Sequence, residues 1–324
     1  MIIDKKKAVM YSRIGSRATF GMAMLELAKD VEDLMVLTAD TSTSAGLDRF
    51  RKTFPDKFLD IGIAEQNGMG IAAGLASEGF NVVTATFAPF QTMRCCEQIK
   101  VNLGYMKHKV CLVGLASGVV LGTLGYTHCC IEDLAVMRAI PNMTVVSPAD
   151  CGETAKAAAA ALDYDQSIYI RLTGGANSKP VYVDDYDFEI GKAITLRQGS
   201  DVGIIAAGTM VRAALDAAEI LAGDGIEASV VNMHTIKPVD RAAIAELCAS
   251  TKMLVTVEEH TVMGGLGGAV AESKAPIPNA PPHHLIGITD SYEKSGEYTD
   301  ILDHYGLTAK KIASRVKAGL AEAA

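Results

Sequence analysis

Short apolar runs rich in Val, Ile and Leu alternate along this chain with segments whose apolar residues recur at helical spacing, and no other feature constrains the fold as tightly. The strand-like runs are Leu34–Thr38, Asn81–Thr86, Val110–Gly114, Met143–Ser147 and Ser167–Arg171. Between them, Phe20, Ala23, Met24 and Leu27 make one helical stripe, and Ala155–Leu162 reads as a second, Ala-rich helix. Strands apolar on both faces, separated by helix-length segments, mark parallel sheets covered on each side by helices. The expected class is α/β, with mostly parallel sheets sandwiched by helices.

The alternation breaks after Arg171. Residues 172–199 hold Gly174-Gly175, Asn177, Pro180 and an acidic group at Asp184, Asp185 and Asp187, which is turn and linker chemistry. Strand and helix then resume as Val202–Ala206, helix Thr209–Ala222, strand Ala228–Met233, helix Asp240–Ala249 and strand Met253–Glu258. A strand near Leu285–Thr289 and a closing helix from Thr308 complete the series. Two consecutive α/β domains are expected, 1–185 and 186–324, the first larger. A chain of 324 residues can bury two cores without a disulfide or metal staple.

Charge and cysteine usage exclude several classes of function. A formal net charge of −8 with no basic run argues against nucleic-acid binding. The longest apolar stretches, such as Val202–Ala207, fall well short of the ~18 residues of a membrane span. The start, Met1-Ile-Ile-Asp-Lys-Lys-Lys, lacks the apolar core of a signal peptide. Seven cysteines, with adjacent pairs at Cys95-Cys96 and Cys129-Cys130 but no C-x-x-C, fit neither a disulfide framework nor a zinc site. Reduced thiols in a cytoplasmic protein are expected.

Two glycine motifs read as structural. Gly264-Gly265-Leu266-Gly267-Gly268-Ala269 follows a strand, but no acidic residue ends a second strand ~20 residues on, where a dinucleotide's ribose would be held. It reads as a glycine-rich helix entry. Gly223-Asp224-Gly225 reads as a helix C-cap turn.

Three loops carry the chemistry. In Asp60-Ile-Gly-Ile-Ala-Glu65-Gln66-Asn67-Gly68, a helix starting near Ala64 puts Glu65 on one face with Met69, Ala72 and Ala76. A carboxylate turned toward packing must neutralise, pair, or meet a ligand donor. Spacing alone favours pairing with a backbone amide or an Arg. The next strand ends in Thr86-Phe87-Ala88-Pro89-Phe90-Gln91-Thr92-Met93, which puts two of the eight Phe residues at the carboxyl edge where parallel sheets bind ligands. Such rings either cover the sheet end or stack on a flat heterocycle. The third loop, Gly118 to Glu132, is Gly-rich and brings His128 just ahead of a helical pattern over Glu132–Arg138, where it can shuttle protons. Beside His128, Cys129 and Cys130 offer a place where oxidation would block the pocket.

Together these segments resemble the C-terminal half of transketolases, over nearly the whole chain: a pyrimidine-binding domain followed by the transketolase C-terminal domain. The pattern around Glu65-Gln66-Asn67, the Thr86-Phe87-x-x-Phe90 loop and Gly125-x-Thr127-His128-x-x-x-Glu132-Asp133-Leu134 carry the resemblance in this order. Ile236-Lys237-Pro238-Val239-Asp240 and Val257-Glu258-Glu259-His260 extend it into the second domain. Deoxyxylulose-phosphate synthases and 2-oxoacid dehydrogenase β subunits share much of the same pattern.

The resemblance implies a transferase that uses thiamine diphosphate and Mg2+ to move a two-carbon ketol unit between phosphorylated or otherwise anionic sugars. Glu65 looks like the glutamate that hydrogen-bonds N1′ of the aminopyrimidine. Phe90 looks like the ring that stacks on it, with Phe87 and Met93 shaping the pocket, and His128 like the active-site histidine that moves protons or holds substrate oxygens. Arg17, Ser44 and Arg171 fall where transketolases grip the sugar's distal phosphate, Arg171 being the firmest match. Where the family has a His and an acidic residue for donor hydroxyls, this chain has Ala116 and Leu124, so its substrate is expected to differ from the common pentose phosphates. The diphosphate-and-magnesium domain, with its Gly-Asp-Gly and distant Asn, is not on this chain: Gly223-Asp224-Gly225 has no such Asn after it. A partner N-terminal subunit holding the metal, in an α2β2 assembly, is expected. The alternatives are 2-oxoacid decarboxylation and a non-catalytic assembly subunit.

Overall fold

The computed structural model describes residues 1–323. In chain order the first strands are β1 (Leu34–Thr38), β2 (Phe58–Asp60), β3 (Asn81–Phe87), β4 (Val110–Leu115), β5 (Met143–Val146) and β6 (Ser167–Arg171). Then come β7 (Ile194–Arg197), β8 (Val202–Ala206), β9 (Ala228–Asn232), β10 (Thr235–Lys237), β11 (Met253–Thr261) and β12 (His283–Ile288). Among the described residues they form two sheets, ordered β10-β5-β6-β4-β3-β1-β2 and β12-β11-β8-β9-β7. Neighbours are parallel except at one edge of each sheet, where β10 runs antiparallel to β5 and β7 to β9.

The strand period assigns the core. Successive residues of a strand point to opposite faces. Val36, Val83, Val113 and Ile170 thus pack with Phe20, Met24 and Ala158 on one side of the larger sheet. Leu37, Val82, Leu112 and Tyr169 face the other side, against Met69 and Leu134 and, from the second half, Leu254 and Leu266. Every residue of β4, β5, β6, β8 and β9 is buried, as helices on both faces require. The α/β architecture is the one the alternation predicts.

Three elements depart from expectation. Residues 172–199 are not linker throughout, because Ile194–Arg197 is the edge strand β7. The short strand β10 comes from the second half of the chain yet completes the first sheet beside β5. Phe58–Asp60 adds β2 beside β1.

The glycine motifs behave as expected. Gly265 heads the helix Leu266–Lys274, and the Glu258 carboxylate accepts the Leu266 and Gly267 N–H groups at 2.6 and 2.8 Å. The place where a fingerprint would cradle a pyrophosphate is filled by the chain's own side chain. Gly223 ends the helix Met210–Gly223, and Gly225 turns away at φ +77°. Among the described residues no helix is long and apolar enough to cross a membrane. Because β1, β2, β3, β4 and β6 are parallel, the loops after them open at one edge of the larger sheet, where such sheets bind ligands.

Candidate active site

Glu65 is the first residue of the helix Glu65–Ser77, beside N–H groups that no side-chain cap satisfies. A carboxylate suits that end of a helix dipole. The helix buries Gly68, Met69, Ala72 and Ala73 on its inner face, which draws Glu65 down to 5% exposure. An unpaired charge there would be costly. Arg94 resolves it: its Nη1 donates to Glu65 Oε2 at 2.9 Å, with the arginine side chain still 41% exposed. This is the Arg pairing that spacing alone favours.

The loop after β3 brings Phe90 to the same place. The Arg94 guanidinium carbon lies over its ring, 4.0 Å from the centroid. Phe87 and His128 stand edge-on to Phe90, at 6.3 and 5.5 Å between centroids, and to each other at 6.2 Å. Glu65, Phe87, Phe90 and His128, from the segments at or after the carboxyl ends of β2, β3 and β4, therefore converge. Met93 is 43% exposed and is not packed into the interior. Arg94 is not among the residues expected from the sequence. It lies in the turn after the helix Ala88–Gln91, where no sequence periodicity marks it.

His128 is not at a helix start. The helix begins at Asp133, and His128 lies in a turn whose N–H bonds the Gly125 carbonyl at 3.0 Å. Its Nδ1 hydrogen-bonds the Thr127 hydroxyl at 3.0 Å. Two backbone bonds between Gly118 and Cys130, both 2.8 Å, close the loop that carries it. Cys129 and Cys130 are buried at 2% and 0% exposure. Burial raises both thiols, Cys129 to about 11, so they stay protonated and poorly reactive. That corrects the expectation of an oxidisable pair.

Arg17 and Ser44 are brought together: Arg17 Nη1 donates to the Ser44 carbonyl at 3.3 Å, and both line a cavity of about 210 Å³ with Ser16, Gly46 and Gly174. Burial pulls the Arg17 guanidinium below its ordinary pKa. Arg171 is a correction. At 2% exposure it gives Nε to both Asp133 oxygens, at 3.0 and 2.9 Å, and Nη2 to the Glu259 and Cys130 carbonyls at 2.9 and 3.3 Å. Burial opposes its charge, but Asp133 and Glu259 hold the guanidinium firmly protonated. A guanidinium so occupied is a core ion pair and does not reach a sugar phosphate. Ala116 is buried at 1%, whereas Leu124 is 56% exposed.

The motif Val257-Glu258-Glu259-His260 supports the site from the second domain. Glu259 accepts the Val119 N–H at 2.8 Å and the Tyr298 and Thr209 hydroxyls at 2.7 and 3.0 Å. His260 Nε2 lies 3.9 Å from Asp133 Oδ1, and burial lowers this histidine to about 4, so it is neutral.

Comparison with known proteins places the chain in a family. Residues 12–177 match the family described as "Transketolase, pyrimidine binding domain", and residues 191–312 match "Transketolase, C-terminal domain". The chain is 41% identical to an apulose-4-phosphate transketolase subunit of Phocaeicola vulgatus, over 92% of this chain and 95% of that protein. It is 38% identical to a 6-deoxy-6-sulfo-D-fructose transketolase subunit of a Clostridium species, over 91% of each. A solved split-gene transketolase, described as an inactive β4 tetramer, superposes with a TM-score of 0.85 at 38% identity, covering 95% of this chain and 98% of that one. The chain belongs to the transketolase family and carries that family's pyrimidine-binding and C-terminal domains.

Proposed function

We propose that this chain is the pyrimidine-binding subunit of a thiamine-diphosphate-dependent transketolase, moving a two-carbon ketol unit between anionic sugars. One observation carries the reading: a buried carboxylate, Glu65, and an aromatic face, Phe90, are so placed that one flat nitrogen-bearing group, the Arg94 guanidinium, touches both. An aminopyrimidine has the same character, a flat ring edged with nitrogen, so the residues fit it. Thr86 and Gln91 line the same small recess as Glu65, and among the described residues the buried Thr86 Oγ1 and Gln91 Oε1 have no hydrogen-bond partner. When bound, the cofactor supplies a stabilised carbanion equivalent that the protein itself cannot make. This chain's part is to hold the ring edge at Glu65, cover its face with Phe90, and present His128 for proton transfer.

Arg17 and Ser44 hold the substrate's anionic end. Arg171 has no part in that grip. The apolar Ala116 and Leu124 leave no hydrogen bonds with which to demand the hydroxyl pattern of an ordinary pentose phosphate. Relatives named for apulose 4-phosphate and for a sulfonated fructose support a donor outside that set, carrying phosphate or sulfonate.

The diphosphate and Mg2+ belong to a partner N-terminal subunit, in an α2β2 assembly. Two things support this. A split-gene transketolase that superposes on this chain is described as an inactive β4 tetramer. Around the site, Ile63, Leu124 and Met93 stand 77%, 56% and 43% exposed, apolar side chains suited to burial under a partner. The test is to assemble the chain with such a partner, thiamine diphosphate and Mg2+, then offer a ketose phosphate or pyruvate as donor. Ketol transfer to an aldose supports the proposal. Carbon dioxide release from pyruvate without ketol transfer means that the enzyme is a 2-oxoacid decarboxylase instead.

A further inference from the structure

Resting on that reading of Glu65 and Phe90, we infer that Arg94 competes with the cofactor's pyrimidine for a single place and must swing out before the pyrimidine can engage either residue. One side chain makes both contacts the ring would need: Nη1 to Glu65 Oε2 at 2.9 Å, and guanidinium carbon to Phe90 centroid at 4.0 Å. A guanidinium is flat, delocalised and edged with N–H donors, so it satisfies a carboxylate and an aromatic face together. A ring lying over Phe90 and bonded to the same carboxylate oxygen requires the same volume. The two states exclude each other.

The arm is built to move without disturbing the core. Gln66 Nε2 donates to the Arg94 backbone carbonyl at 3.0 Å, which ties the base of the arm to the helix that carries Glu65. Beyond that anchor the side chain is 41% exposed, so its withdrawal into solvent breaks a pair at the rim and leaves the packing of Met69 and Ala72 intact. While in place, the guanidinium keeps a carboxylate that is 5% exposed from standing as an uncompensated charge. Its cost falls on the cofactor, whose apparent affinity drops by the fraction of molecules with the arm withdrawn.

The test is calorimetric titration of thiamine diphosphate with Mg2+ into the chain assembled with its partner, wild type against Arg94→Met, together with thermal unfolding before cofactor is added. Arg94→Met is expected to bind about tenfold tighter, as for a wild-type arm withdrawn in about a tenth of molecules. Its Tm before cofactor is expected to fall, because Glu65 loses its cation. Arg94→Lys, which keeps the charge but not the flat fork, is expected to bind tighter than wild type by a smaller factor and carries the test if the Met variant does not fold. Equal or weaker binding by the folded variants overturns the competition, while wild-type binding that Phe90→Ala weakens leaves the pyrimidine site standing. Assembled wild type and variants that all fail to bind bring down the pyrimidine site and this inference with it.

Discussion

The Glu259 carboxylate, on strand β11 of the second domain, accepts the Val119 backbone N–H of the loop that carries His128, at 2.8 Å. The same carboxylate takes the Tyr298 and Thr209 hydroxyls, so one buried side chain fixes the active-site loop to the C-terminal domain. Glu259→Ala is expected to leave these donors unpaired at a cost of about 3 kcal/mol. It should also speed hydrogen exchange of amides across residues 118–130. Exchange of those amides at the wild-type rate would mean that the loop does not depend on Glu259.

Arg171 and Asp133 pair at 2% and 0% side-chain exposure. Removing one partner strands the other. Arg171→Met is expected to lower stability by about 3–5 kcal/mol in urea unfolding, and the added change Asp133→Leu to recover much of that loss. A double variant no more stable than the single one would show that the pair contributes more than mutual compensation.

Glu153 sets a pH dependence. It is fully buried and accepts the Ala149 N–H at 2.6 Å, the Tyr186 hydroxyl at 2.9 Å and the Asn232 amide at 2.9 Å. Burial, reinforced by Asp150, raises it from 4.5 to about 7. Below pH ~4.5 both folded and unfolded chains carry the proton, and its contribution is fully present. Between there and about pH 7 the unfolded chain ionises first, so stability falls as pH rises, by up to roughly 3 kcal/mol. Glu153→Gln lacks this titration. Unfolding measured from about pH 5 to about pH 8 should show the variant gaining on wild type as pH rises; a constant difference would contradict the assignment.

Much of this was legible in the sequence, for physical reasons. Strands such as Val202–Ala206 are buried on both faces, and apolar continuity is a local signal. Ile194–Arg197 was lost in the acidic linker because an edge strand is only half buried and its composition is mixed. Thr235–Lys237 has three residues and pairs with β5, about ninety positions earlier, which no local pattern encodes. Glu65, Phe90 and His128 stood out in the sequence because each follows a strand within a distinctively spaced motif, and the fold brings Phe90 against His128 and, through Arg94, against Glu65. Arg171 misled because a cation at the carboxyl end of a parallel strand looks like a ligand group, and its partner Asp133 lies 38 positions away.

On the proposed reading Arg17, which shares a cavity with Ser44, meets the substrate's anion. Arg17→Ala is expected to raise KM for a phosphorylated donor by about tenfold or more, with kcat changed less. Steady-state kinetics with the matching unphosphorylated ketose is the control, since its KM should not move. An equal rise for both sugars would assign Arg17 to folding of the loop instead.

The role of Glu65 is tested most directly by ketol transfer in the reconstituted mixture of this chain, its partner, thiamine diphosphate and Mg2+, with wild type and Glu65→Ala compared at equal cofactor occupancy. The expected result is turnover by the wild-type mixture alone, reduced in the variant by about a hundredfold or more. Full activity in the Glu65→Ala mixture, or turnover by this chain without its partner, would contradict the account.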